Sequence, residues 1–98
     1  MGPQDDKKLI KADGEVQDYP PQGKTYTLQE LQEAVGGYIE VLRLKDGYLM
    51  VINEEGRLQD LPFNPGASLI CQVAGLYPYL GGSDIRGDVV VCHGSLVD

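Results

Sequence analysis

The sequence predicts a small α+β domain in which short helices pack on a mainly antiparallel sheet. Three features carry this prediction: a capped helix starting at Thr27, an Asp46-Gly47 hairpin dipeptide between two apolar runs, and an apolar strand over residues 89–92. A chain of 98 residues has room for one hydrophobic core. The order strand, helix, hairpin, helix, strand predicts two layers and is compatible with a ferredoxin-like topology.

The first 24 residues predict a charged N-terminal segment that precedes the α+β domain of residues 25–98. Within this segment, residues 7–12 predict a short strand, and the Pro-Pro-Gln-Gly run at residues 20–23 predicts a loop or stiff linker. The segment holds 4 basic and 5 acidic residues, and the remainder holds 4 basic and 10 acidic. Most of the formal charge of -7 therefore belongs to the folded body.

The first helix has a clear start signal. In the run Thr27-Leu28-Gln29-Glu30, the Thr27 hydroxyl can accept from the Glu30 amide while the Glu30 carboxylate accepts from the Thr27 amide, which is a capping box. Tyr26 and Leu31 stand where a hydrophobic staple would place them. The predicted buried stripe is Leu28, Leu31 and Val35, with Gly36-Gly37 as the stop.

The hairpin joins residues 38–45 to residues 48–53 through Asp46-Gly47, a type I′ dipeptide. A two-residue loop predicts these pairs: Lys45 with Tyr48, Leu44 with Leu49, Arg43 with Met50, Leu42 with Val51, and Val41 with Ile52. This register places Leu42, Leu44, Leu49 and Val51 on one face of the hairpin, which we expect to pack against helices. The second face then carries Ile39, Val41, Tyr48, Met50 and Ile52 beside Arg43. We expect the N-terminal segment or a loop to cover the second face. The alternative is a partner or self-association surface.

The C-terminal half predicts a turn at residues 53–56, an extended piece at residues 57–61, a helix and a strand. Asn64-Pro65 suits a helix start, because Pro fits the first helical position. The predicted buried stripe of this helix is Leu69, Ile70, Val73 and Leu76, with Gly75 as a cap. Residues 77–84 predict a loop, and the apolar run at 89–92 predicts an internal strand.

Composition argues against two classes of protein. Eight basic against 15 acidic residues leave little surface for tracking phosphates, so no nucleic-acid partner is expected. No apolar run approaches the roughly 20 residues that cross a bilayer, and the N-terminus lacks a signal-peptide layout. Because Cys71 and Cys92 are far apart and form no C-x-x-C motif, we expect free thiols in a cytoplasmic protein.

No motif predicts a cofactor, a metal site or a catalytic centre. Cys71, Cys92 and His93 could join as metal ligands only across a bend, since neighbouring strand residues point to opposite faces. A hydrolase using His93 with Cys71 would lack an orienting carboxylate motif. Three further runs are interpreted as turns: Gly81-Gly82-Ser83-Asp84, Arg86-Gly87-Asp88, and Glu54-Glu55 with nearby Asp60, which could otherwise bind a divalent cation.

One resemblance covers roughly residues 25 to 92. The residues that carry it are the run from Tyr26 to Val41, Asp46-Gly47, the series at residues 51–56, Leu61-Pro62, Asn64 and the run at residues 85–91. In these residues the chain resembles domain-of-unknown-function family 3846. The resemblance implies a gene carried by phages, plasmids or other bacterial mobile elements. It implies no catalytic residue. The chain departs from the family pattern in its longer charged N-terminal segment and in its Tyr77-Pro78-Tyr79 loop.

These observations favour a non-enzymatic protein that acts by binding a host or element protein. The candidate interaction surface is Tyr48, Tyr77, Tyr79, Glu54, Glu55 and Asp84, because exposed tyrosines supply contact area at low entropy cost. One alternative is a small-ligand module for a nucleotide or metabolite, with a pocket at the second hairpin face or between protomers. A homo-oligomer through the hairpin face is a further alternative.

Overall fold

A computed structural model describes residues 7–56, 58–75 and 84–97. Its strands are β1 (Lys7–Ile10), β2 (Val16–Asp18), β3 (Ile39–Arg43), β4 (Tyr48–Asn53) and β5 (Val89–His93), and its helices are α1 (Leu28–Val35) and α2 (Pro65–Val73). The strands form one sheet in the order β2-β1-β5-β4-β3. The α+β class, the antiparallel sheet and its hairpin are thus confirmed. Neither described helix has the length and apolar content needed to cross a membrane.

The two helices pack on opposite faces of this sheet. Side chains alternate along a strand, so Val51 of β4 points to one face and Met50 to the other. Val51 lies in a buried cluster with Leu31 of α1, whereas Met50 lies in a second buried cluster with Cys71 of α2. The molecule therefore has a helix layer on each side of the sheet, one layer more than the sequence predicts.

Strand order also differs from the ferredoxin-like alternative. A split βαβ unit joins two parallel strands that have one strand between them. Here β1 and β3, the predicted strands on either side of α1, are separated by both β5 and β4 and are therefore antiparallel to each other. The short strand predicted at residues 7–12 is confirmed as β1, and it pairs with both β2 and β5. Strand β2 has no sequence signal of its own. The domain boundary at residue 24 stays a prediction, although β1 and β2 belong to the common sheet.

Helix α1 begins with the predicted capping box. The Glu30 amide donates to Thr27 Oγ1 at 3.1 Å, and the Thr27 amide donates to Glu30 Oε1 at 2.9 Å. Gly36 ends the helix with a left-handed φ of 80°, which glycine adopts without a side-chain clash. The predicted stripe is wrong at Leu28, which is 58% exposed, because the helix turns Leu31 and Val35 toward the sheet.

Two tyrosines complete the packing on the α1 side. Tyr26 is buried and its ring stacks on that of Tyr19, with centroids 5.9 Å apart. The Tyr26 hydroxyl donates to the Tyr19 carbonyl, and the Tyr19 hydroxyl donates to the Glu30 carbonyl at 2.8 Å. Burial raises the pKa of both phenols, so they stay protonated donors. These bonds join the segment before α1 to the helix itself.

The predicted hairpin register is wrong by one residue. The observed partners are Arg43 with Leu49, Leu42 with Met50, Val41 with Val51, Glu40 with Ile52 and Ile39 with Asn53. The cause is the turn, because Lys45–Gly47 forms a three-residue 3₁₀ turn in which Asp46 has a φ of 60°. The Leu44 amide therefore donates to the Tyr48 carbonyl at 2.8 Å. A one-residue slip exchanges faces, so Leu42 and Leu44 join Met50 on the α2 side.

The segment between β4 and α2 is folded back on itself. The turn at residues 54–56 is confirmed. The extended piece at residues 57–61 is wrong for residues 58–60, which form a turn: the Gln59 amide donates to the Glu55 carbonyl and the Leu61 amide to the Gly56 carbonyl. Arg57, like residues 76–83, lies outside the described residues. The internal position of the last strand is confirmed, since β5 lies between β1 and β4.

Candidate functional site

An apolar groove lies between α2 and the hairpin end of the sheet. Its volume is about 440 Å³. We call it the α2 groove, and its lining residues are Leu44, Lys45, Tyr48, Leu69, Ile70, Val73, Ala74 and Val91. Apolar side chains make up almost all of this wall. Concave apolar surface of this size is typical of sites that hold a ligand or an anchoring side chain.

The groove exists because α2 packs on the sheet through small side chains. Ala67, Ser68 and Cys71 are buried against the sheet side, whereas Leu69 is 59% exposed and Val73 is 76% exposed. The predicted buried stripe of Leu69, Ile70, Val73 and Leu76 is therefore wrong at Leu69 and Val73, and Leu76 lies outside the described residues. Since the buried residues are small, the larger ones are left at the rim instead of filling the core.

Buried Asn64 fixes the orientation of α2. As the predicted N-cap, its Oδ1 accepts from the Ala67 amide at 3.0 Å. Its Nδ2 donates to the carbonyls of Ile10 at 3.0 Å and Gly87 at 2.8 Å. The side chain thus bonds three separate segments: the end of β1, the turn before β5 and the first turn of α2. These bonds determine which side of α2 faces the sheet.

The hairpin end supplies the other wall of the groove. Leu44 and Tyr48 flank the Lys45–Gly47 turn, and the observed register places them on the α2 side of the sheet. The Tyr48 ring also contacts the His93 ring edge-to-face, with ring centroids 5.4 Å apart. Gly47 is needed at this position, because its φ is 80° and a Cβ there would lie 3.0 Å from His93 Nε2. The turn is therefore held against the end of β5.

The predicted interaction residues do not form one patch within the described residues. Tyr48 lines the α2 groove at the start of β4, whereas Glu54 and Glu55 follow its other end, about 17 Å away at the usual strand rise. Asp84 is exposed. Tyr77 and Tyr79 lie outside the described residues. As an interaction surface, this set stays a prediction.

Of the eight residues that line the groove, the predicted interaction surface includes Tyr48 and lacks the other seven. Helical spacing alone assigns Leu69 and Val73 to the core. The signal that corrects this is the pair Ala67 and Cys71, which follows the same helical spacing, because small residues allow close packing of a helix on a sheet. The predicted hairpin places Lys45 in a strand, whereas the structure places it in the turn.

A second, polar depression lies at the far end of β4. Its volume is about 230 Å³, and its lining residues are Gln32, Gly37, Tyr38, Glu55 and Gln59. Beneath it, buried Asn53 donates to the Val35 carbonyl at 3.1 Å and to Gln59 Oε1 at 3.2 Å, and its Oδ1 accepts from the Glu55 amide at 2.7 Å. Both polar atoms of the Asn53 side chain thus have hydrogen-bond partners, and these bonds hold the floor of the depression together.

The thiols and His93 are not brought together. Cys92 lies in the cluster on the α1 side, and Cys71 lies on the α2 side with its Sγ 3.6 Å from Met50 Sδ. Burial raises the pKa of Cys71 and raises that of Cys92 to about 11, which disfavours the thiolate. His93 Nδ1 lies 2.8 Å from Ser95 Oγ and accepts from the Ser95 amide at 3.2 Å, as the cap of a final 3₁₀ turn.

The remaining motifs have structural roles where they are described. Gly87 has a left-handed φ of 84°, Arg86 donates to the Leu61 carbonyl at 3.1 Å, and Asp88 accepts from the Ala12 amide at 2.9 Å. The turn predicted there is confirmed. Among the residues that the structure describes, no three His, Cys, Asp or Glu side chains are grouped to hold a metal ion. The glycines of the Gly81 to Asp84 run lie outside those residues.

Comparison with protein families gives one match. The model of the family described as domain of unknown function (DUF3846) matches residues 8–96. The chain belongs to the DUF3846 family. The match includes β1 and β2, so the N-terminal segment from residue 8 onward is a family feature and not a departure from it. No curated protein and no solved structure matches the chain significantly.

Proposed function

We propose that this DUF3846 protein is a non-enzymatic binding protein that holds apolar side chains of a protein partner in the α2 groove. The observation that carries the proposal is the exposure of Leu69 and Val73 beside a concave apolar wall. Covering an exposed aliphatic side chain contributes about 2 kcal/mol. Exposed apolar residues next to a groove are typical of an interaction site, whereas isolated ones need no explanation.

The shape of the groove favours a protein over a small molecule. Leu69 and Val73 stand at the rim, where an occupant confined to the groove would leave them largely in water. A partner that inserts one side chain and covers the rim would bury both. Such a central apolar anchor with a covered surround is the usual arrangement of an interaction hot spot.

The class of partner follows from the family resemblance stated above. If the gene is carried by a bacterial mobile element, the partner is a factor of the host or of the element, and the site of action is the bacterial cytoplasm. The net charge of -7 on the chain disfavours nucleic acid as that partner. Self-association through the same groove is the alternative to be distinguished by measuring the molar mass in solution.

A second candidate function is the binding of a small apolar ligand. The volume of the α2 groove, about 440 Å³, falls within the range of small-molecule pockets, and this observation favours the candidate. Native mass spectrometry of the purified protein tests it. A retained small molecule of defined mass would support a ligand module, and its release by a groove variant would locate it.

The main experiment is partner capture from a bacterial lysate with matched variants. The test variant is Leu69→Ser with Val73→Thr, and the control is Leu28→Ser. Leu28 is a suitable control because it is a helical leucine with 58% exposure, against 59% for Leu69, and it lies on α1. We expect a stoichiometric protein that the wild type and the control retain and the test variant loses. Equal capture by all three would contradict the proposal.

A further inference from the structure

The wall of the α2 groove contains a positive charge, and the inference drawn from it rests on the proposed function. Seven of the eight lining residues have uncharged side chains, and the eighth is Lys45 at the hairpin turn. The chain as a whole has 15 acidic against 8 basic residues. Among the described residues the only charge that lines the groove is thus a cation, opposite in sign to the net charge of the chain.

No described acidic group neutralises this cation within the groove. Helix α2 has no charged residue along Pro65–Val73. Across the described ranges, Lys45 makes no ion pair within 4.0 Å, and the pairs found there are Lys8 with Asp18 and Arg86 with Asp60. The nearest acid in sequence is Asp46, which is exposed in the turn and does not line the groove. The ammonium group is thus available to an incoming anion.

The position of Lys45 also gives the occupant a direction. Leu69 and Val73 belong to the C-terminal part of α2 and Ala74 is its C-cap, so they lie near the negative end of the helix dipole. An anion is disfavoured there and favoured at the turn, on the opposite wall. An occupant with an apolar group and an acidic group would therefore place the acidic group toward the Lys45–Gly47 turn.

We propose that the partner segment bound in the α2 groove carries a carboxylate next to its apolar side chain, and that Lys45 pairs with this carboxylate. The apolar wall supplies most of the affinity, because burial of apolar surface dominates such contacts. Lys45 supplies selectivity, because an exposed ion pair contributes little free energy but depends strongly on the sign of the charge. The partner is thus an apolar and acidic segment, despite the acidity of this protein.

Two fluorescent probes with the same ring system separate these contributions. Anilinonaphthalene sulfonate has an apolar body and one anionic group, and phenylnaphthylamine has the same body without the charge. The variants are Lys45→Met, Lys45→Arg and, as the matched control, Lys24→Met. Lys24 is an exposed lysine that does not line the groove, and it stands two residues before Tyr26 of the buried cluster on the α1 side. Titrations at low salt give the dissociation constant of each probe.

We expect Lys45→Met to weaken binding of the anionic probe about threefold and to leave the neutral probe unchanged, the size typical of an exposed ion pair. Lys45→Arg and Lys24→Met should bind both probes as the wild type does. Equal loss of the anionic probe in Lys24→Met would overturn the inference, because the effect would then be one of net charge. Failure of the neutral probe to bind, or its unchanged binding to Leu69→Ser, would instead contradict the proposed function.

Selection of displayed peptides tests the chemistry of the partner directly. A random peptide library is selected on the wild-type protein and, in parallel, on Lys45→Glu. We expect Asp or Glu beside an apolar residue in peptides selected on the wild type, and Lys or Arg at that position on the variant. Apolar peptides with the same charge preference on both proteins would overturn the role of Lys45 and keep the groove. Peptides that still bind Leu69→Ser with Val73→Thr would contradict the groove itself.

Discussion

The two faces of the sheet are covered by helices of similar length in different ways. Helix α1 buries the large side chains Leu31 and Val35 and is further closed by Tyr26. Helix α2 buries Ala67 and Cys71, packs Ile70 against their cluster and leaves Leu69 and Val73 exposed at the rim of the α2 groove. The comparison shows that a helix can be packed on a sheet mainly through small side chains. What fixes it must then come from elsewhere.

The N-caps explain this difference. The cap of α1, Thr27, is exposed and bonds only within its own first turn. The cap of α2, Asn64, is fully buried and bonds β1 and the turn before β5 as well as the helix. Polar bonds thus position α2, while apolar packing positions α1.

Replacing the two N-caps by alanine should give unequal losses of stability. Asn64→Ala removes three hydrogen bonds and leaves the buried carbonyls of Ile10 and Gly87 without this donor, so we expect a loss of about 3 kcal/mol. Thr27→Ala removes one exposed cap, for a loss of about 1 kcal/mol. Urea denaturation followed by circular dichroism measures both. Equal losses would show that Asn64 is an ordinary cap.

A pair of leucine truncations compares the helix faces directly. Leu31→Ala leaves a cavity in the α1 core, where Leu31 is 2% exposed, and should cost about 3 kcal/mol. Leu69→Ala, at 59% exposure, should cost no more than about 0.5 kcal/mol. The free energy of unfolding of each variant tests this. A large loss at Leu69 would mean that the groove wall belongs to the core, and the proposed function would lose its basis.

Most elements of the fold could be predicted from local signals. The capping box at Thr27, the Asn64-Pro65 start and the apolar run of β5 each depend on residues within one turn or strand, so short sequence windows suffice. Strand β2 could not be predicted, because its three residues Val-Gln-Asp are held only by pairing with β1. The hairpin was predicted but not its register, since Asp46-Gly47 also occurs in a three-residue turn that includes Lys45.

The candidate site could be predicted much less well. Helical spacing gives Leu69, Ile70 and Val73 as one stripe, and spacing alone does not say which side of a helix faces the sheet. That choice depends on Asn64 bonding to Ile10 and Gly87, which are 54 and 23 residues away. Contacts over such separations are set by the whole fold and leave no local pattern. Of the predicted interaction residues that the structure describes, Tyr48 alone lies in the groove wall.

The two buried thiols report on opening of each face. Both side chains are fully buried, and their raised pKa values keep them protonated at neutral pH. Because α2 is packed through small residues, we expect Cys71 to be alkylated by iodoacetamide about tenfold faster than Cys92, a difference in opening free energy of about 1.4 kcal/mol. Cleavage after Arg86 puts the thiols on separate tryptic peptides for mass spectrometry. Equal rates would indicate that both faces open together.

The smallest expected effect is a pH dependence confined to the α1 cap. Hydrogen bonds from the backbone amides of Thr27 and then Gln22 lower the pKa of Glu30 from its ordinary value of 4.5. Since the folded state favours the carboxylate, this stabilisation is complete above pH 4.5 and is lost as the pH falls through the lowered pKa. Wild type should therefore exceed Glu30→Gln in stability at neutral pH, and the difference should shrink in acid. Denaturation across a pH series measures it, with Glu40→Gln on β3 as the control for removing one negative charge. A difference that does not depend on pH would mean that the carboxylate charge at this cap contributes nothing to the stability of the protein.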